Sequence, residues 1–205
     1  MRKVYFLGIG VFLLALAIFF SIPKEEYKPS IELPERPLPD FKLINQNGEE
    51  FTLSSQRGKV ILLFFGYTHC PDVCPVVASK YAYIANKVDS SKVALIFVTT
   101  DPYRDNPKTL KNWLSKFSDK IIGLTGKEED LEKVWDLFQF KNLYTDIKGN
   151  PIDPKDIKDG KVKDYYVTHF AYIIVADKNM KTRFAFTPEM GEDEWLQGVL
   201  FLLKQ

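Results

Sequence analysis

The sequence predicts an α/β fold: a partly parallel sheet with helices on both faces and an N-terminal hairpin, preceded by one transmembrane helix. Three observations predict it. Val60 to Tyr67 and Val93 to Thr99 are uninterrupted apolar runs, which read as strands buried on both faces. Helix-start signals follow each of them, at Pro75 and at Asn106-Pro107. Val4 to Ile22 carries no charge and matches the roughly 20 apolar residues that span a bilayer.

That first segment sets the compartment. Arg2 and Lys3 precede it, and Lys24, Glu25 and Glu26 follow it. The positive-inside rule keeps the N-terminus in the cytoplasm and sends the rest across. The expectation is a single-pass protein of the cytoplasmic (inner) membrane, its domain on the periplasmic side. A cleaved signal peptide is the competing reading. It wants a shorter apolar core and a small-residue cleavage site, which Phe19 to Pro23 does not offer. Residues 1–22 are thus the expected anchor, 23–39 a tether with five prolines, and 40–205 the domain. The formal net charge is +1 with both signs intermixed, so no basic face invites nucleic acid.

Within the domain, Phe41 to Ile44 and Phe51 to Leu53 flank Asn47-Gly48, a hairpin signal. Arg57-Gly58 turns the chain into the first buried strand. Cys74 stands near the cap of the next helix and Pro75 at its first position, the helix running to about Asp89. The helix opened by Asn106-Pro107 reaches about Phe117, and Ile121 to Leu124 is a short strand. Thr125 and Glu128 have capping-box spacing before a helix whose apolar face is Leu131, Val134, Trp135 and Phe138. That aromatic stripe reads as core. Thr145 to Lys163 is a polar excursion or hairpin loop. Phe170 to Val175 and Thr182 to Phe186 are strands joined by a turn at Asp177 to Asn179, and Glu192 to Leu203 is the closing helix.

Cys70 and Cys74 are the sequence's two cysteines. They flank a strand-to-helix junction, which is the thioredoxin-like placement. A thiolate at a helix N-terminus is stabilised by free N–H groups and the helix dipole. In an oxidising compartment such a close pair is working chemistry more often than scaffold. His169 falls at the start of a late strand that begins beside the cysteine turn in a thioredoxin-like sheet. A thiol oxidoreductase carries a cis-proline there, and no proline lies between Tyr165 and Asp177. Two thiolates and one imidazole form a soft, three-donor set that favours Cu(I) and zinc, and Cu(II) outbinds the other divalent ions. A closed zinc site needs four ligands. His69 adjoins Cys70 and would be strained as the fourth, so copper is the better match. Asp72 and Asp101 lie near the junction by topology, either behind the ligands, facing a partner, or in turn and cap roles.

The segments GYTHCPDVCP, NQNGEEFTL, GKVILLFF, VTTDPYRDNPKTL, IIGLTG and VTHFAYIIVADKN resemble the Sco/SenC family of copper proteins, from about Asp40 to the C-terminus. The resemblance implies a thioredoxin-like fold behind a membrane anchor. It implies copper, as Cu(I) or Cu(II), on Cys70, Cys74 and His169. The implied role is assembly of the dinuclear copper site of cytochrome c oxidase, with oxidase subunit II or a copper donor protein as partner. A thiol–disulfide reductase, with Cys70 and Cys74 as a redox-active disulfide, is the alternative the family also suggests. Two departures stand out. The family usually has Asp before the histidine and Ser after it, where this chain has Thr168 and Phe170.

Overall fold

The computed structural model describes residues 27–205. The expected anchor, Val4 to Ile22, lies outside the described residues. Among those described, no helix is long and apolar enough to cross a membrane.

Strands β1 (Lys42–Asn45) and β2 (Glu50–Thr52) pair antiparallel as the expected hairpin. Gly48 takes a φ of +83°, the left-handed region that a side chain resists. Asn45 Oδ1 accepts the N–H groups of Asn47 and Glu49 and so locks the turn. Next come β3 (Val60–Gly66), β4 (Val93–Thr99) and β5 (Ile121–Thr125), parallel neighbours in the middle of the sheet. β6 (Leu143–Thr145) and β7 (Tyr166–Thr168) form a separate antiparallel ladder. β8 (Ile173–Ala176) runs antiparallel against β3, and β9 (Thr182–Phe186) against β8. The main sheet has the order β2-β1-β5-β4-β3-β8-β9 among the described residues.

The helices are α1 (Val73–Lys87), α2 (Pro107–Leu114), α3 (Glu128–Leu137), α4 (Pro154–Lys158) and α5 (Glu192–Lys204). The pleat of β3 divides the core. Val60, Leu62 and Phe64 pack with α1, α2 and α5, while Ile61, Leu63 and Phe65 pack with α3 and the hairpin. α1 buries Cys74, Val77, Ala78, Tyr81, Ile84 and Ala85, a helical stripe that includes a thiol. α3 buries Leu131, Val134 and Trp135 as its periodicity predicts, and Phe138 packs edge-on against Phe41.

Several expectations shift. α1 starts at Val73, ahead of Pro75. The proline fits there because the first-turn N–H groups have no helical acceptor in any case. α1 also ends at Lys87, and α2 ends at Leu114, where Phe117 N–H bonds the Leu114 carbonyl in a tighter turn. Thr125 is no cap: it closes β5, and its hydroxyl donates to the Asp105 carbonyl, while Lys127 takes the N-cap position of α3. The polar excursion contains α4 and is framed by β6 and β7. The late strand begins at Ile173, not Phe170, so His169 lies in the β7–β8 connection. Residues ahead of Asp40 also contact the sheet. Leu33 N–H bonds the Arg183 carbonyl, Ala185 N–H bonds the Ile31 carbonyl, and Leu38 is buried, so the chain from Ile31 onward lies along β9. That part of the proline-rich segment is docked, because its carbonyls and N–H groups satisfy the sheet edge.

Candidate metal centre

The site begins at the last residue of β3. Gly66 lets the backbone pass directly over Cys74: a Cβ there would sit 2.8 Å from Cys74 Sγ and 2.6 Å from Phe64 Cε1. Cys74, in the first turn of α1, is fully buried, and Tyr67 N–H donates to its sulfur at 3.4 Å. Cys70 is half-buried in the connection between β3 and α1. His169 arrives from the β7–β8 connection, its ring set edge-to-face against Phe64 and Tyr67 at 5.8 and 5.7 Å. Donor atoms of Cys70, Cys74 and His169 all lie within 4.8 Å of one another, and Cys74 Sγ is 3.7 Å from His169 Nε2.

Hydrogen bonds prepare these donors. A carbonyl oxygen only accepts, so the 3.1 Å contact between His169 Nδ1 and the Phe170 carbonyl places the ring proton on Nδ1. The Nε2 lone pair then faces the sulfurs. The Cys70 thiol is held far below its ordinary value, foremost by a hydrogen bond from Cys74 and also by the N–H groups of Asp72 and Cys74, against the opposing effect of burial. The Cys74 thiol is pushed well up by burial and by facing Cys70. The pair therefore holds one thiolate and one thiol near neutral pH.

The two acidic candidates do other things. The Asp72 side chain is exposed and makes no capping bond; its backbone N–H is what serves Cys70. Asp101 is buried and is not among the converged metal donors. It accepts from Arg104 Nε at 2.5 Å and from the Tyr165 hydroxyl at 2.7 Å. Arg104 also bonds the Tyr165 carbonyl and stacks 3.6 Å from that ring's centre, which pins the chain entering β7 and so the approach to His169. Gly66 and Asp105 are further members of the site. Asp105, fully buried, accepts from Thr68 N–H at 2.9 Å, Thr68 Oγ1 at 2.5 Å and Thr99 Oγ1 at 2.8 Å. It fixes the connection that carries Cys70. A strand-end glycine and an aspartate in a polar run look like turn residues, so neither is marked by sequence alone.

The fold and the site together define a thioredoxin-like α/β domain with a Cys–Cys–His donor set at its strand–helix junction. Comparison with known proteins extends this. The SCO1/SenC family profile matches residues 31–203. The SCO2-like protein of Rickettsia felis is 34% identical over 178 residues, covering 84% of this chain and 82% of that protein. The structure of Bradyrhizobium japonicum ScoI with copper bound is 30% identical with a TM-score of 0.69, covering 82% of this chain and 99% of that one. Yeast Sco1 with copper bound is 26% identical with a TM-score of 0.67, covering 84% and 90%. The chain belongs to the SCO1/SenC family.

Proposed function

We propose that this chain is a copper metallochaperone that holds one copper ion through Cys70, Cys74 and His169 for assembly of the dinuclear copper site of cytochrome c oxidase. One observation carries the reading: two sulfurs and one imidazole nitrogen from separate segments converge within 4.8 Å. The donor chemistry fits the ion. Two sulfurs and a nitrogen are soft, and three donors leave the sphere open, as ligand exchange with a partner requires. A fourth protein ligand that would close a zinc site is missing from the converged set among the described residues. Copper-bound relatives of the same fold support the choice.

In this reading Cys70 offers a ready thiolate, Cys74 gives up its proton as the ion binds, and His169 Nε2 completes the set. The ion's own contribution is to be the cargo. Oxidation of Cys70 and Cys74 to a disulfide removes both sulfur ligands and switches the site off until reduced. Oxidoreduction as the main activity is less well supported, since it gives His169 no role. The reading also places residues 40–205 outside the cytoplasm, anchored through Val4 to Ile22, with oxidase subunit II or a copper donor as partner.

The test is copper content after anaerobic loading with Cu(I). Reduced protein should hold one copper per chain. Cys70→Ser and Cys74→Ser should each lose tight binding, because one sulfur and one imidazole make a weak site. Unchanged copper after oxidation of both cysteines would remove them as ligands.

A further inference from the structure

His69 is one residue from Cys70, yet it stands outside the converged donor set. Its side chain is 51% exposed, whereas Cys74 is fully buried. An exposed histidine ordinarily has no fixed ring proton. Here a buried relay fixes it. Thr68 Oγ1 donates its single proton to Asp105 Oδ1 at 2.5 Å. That oxygen is also 3.1 Å from His69 Nδ1, and with its proton spent it can only accept. His69 therefore carries its proton on Nδ1, on the side where Asp105 Oδ1 lies 4.0 Å away. The lone pair is left on Nε2. This is the arrangement of a metal-ligating imidazole, with a carboxylate acting through a hydroxyl to set the tautomer.

We infer that His69 Nε2 is a transient copper ligand at the mouth of the site, the first donor to meet incoming copper and the last to release it. The inference rests on the copper-carrier reading above. Exposure gives the order: exposed His69, half-buried Cys70, buried Cys74. Each step is a ligand exchange with no change in the oxidation state of copper. The Nε2 lone pair forms a bond to the ion as one ligand of the delivering complex departs. That bond breaks when Cys70, Cys74 and His169 take the ion, and the Cys74 S–H proton passes to solvent. Adjacent His69 and Cys70 need not chelate together, because the imidazole leaves as the final set closes.

Three measurements on the full chain test this. In the reduced, copper-free protein at neutral pH, nitrogen-15 NMR of the imidazoles should show His69 as the Nδ1–H tautomer; an Nε2–H tautomer overturns the inference. Stopped-flow uptake of Cu(I) from a bathocuproine complex should be roughly tenfold slower in His69→Gln and His69→Gly, the effect of about 1.4 kcal/mol of barrier. Copper held at equilibrium, set by the other three donors, should stay at one per chain. Added imidazole should speed uptake by His69→Gly and leave the wild type unaffected. Unchanged uptake rates overturn the transient role, and so does a fall in copper held, which would make His69 a permanent ligand. A wild-type chain that holds no copper sinks the carrier reading itself, and is told apart because the variants are then irrelevant.

Discussion

Cys70 and Cys74 share one hydrogen-bonded pocket and are driven in opposite directions within it. Cys70 is stabilised as the thiolate by Cys74 and backbone N–H groups, and Cys74 is kept protonated by burial and by the charge beside it. Because the folded Cys70 value is lowered, its thiolate persists as pH falls from the ordinary thiol range and is lost only on passing the lowered value. Cys74 ionises only in alkali. Cu(I) binding at neutral pH should therefore release about one proton, from Cys74, measurable with an indicator dye in weak buffer. Release of two would mean that both cysteines start as thiols. Asp105 supports a second prediction at this scale. Asn in its place turns an N–H2 group toward hydroxyl and amide donors, so Asp105→Asn should cost about 1–3 kcal/mol, read from the urea midpoint. A stability within error of wild type would show that the buried relay holds nothing in place. The convergence of Cys70, Cys74 and His169 was legible in the sequence because C-x-x-x-C at a strand–helix junction and a histidine expected at the start of a late strand are joined by topology. Gly66 and Asp105 were not, because their roles come from a close approach and a buried bond that exist only after folding.

At the scale of elements, β4 matches its expected bounds, and β3 falls one residue short of the expected Tyr67, because unbroken apolar runs leave little choice when both faces are buried. β6 and β7, which border the polar excursion, were not expected. They are short and half-exposed, and Leu143 and Tyr166 point outward, so no alternation marks them. The expected start of α1 failed because proline is accepted anywhere in a helix's first turn. The crossing of β3 over α1 is the element contact on which the site depends. Gly66→Ala would force Cys74 Sγ or Phe64 to shift, since 2.8 and 2.6 Å leave no room for a methyl group. The expected cost is about 1–3 kcal/mol of stability together with weakened copper retention. Copper retention equal to wild type would show that the sulfur can move without harm to the site.

For the whole molecule, the sheet brings two distant stretches together at the end of its inner strands: the junction of β3 with α1, and the connection into β8. The segment from Ile31 runs along β9 at the far side of β8 from β3, so the chain enters the domain along a sheet edge. A reporter fused after Gln205 should be active only when exported, and cytoplasmic activity would contradict the proposed topology. His169 separates a copper carrier from a disulfide exchanger, because a dithiol can exchange disulfides without it and a three-coordinate copper site cannot form without it. The direct measurement is copper content and disulfide exchange on the same His169→Ala protein. Copper should be lost or held far more weakly while Cys70 and Cys74 still cycle between dithiol and disulfide. Copper content equal to wild type with disulfide exchange abolished would contradict the copper-carrier reading.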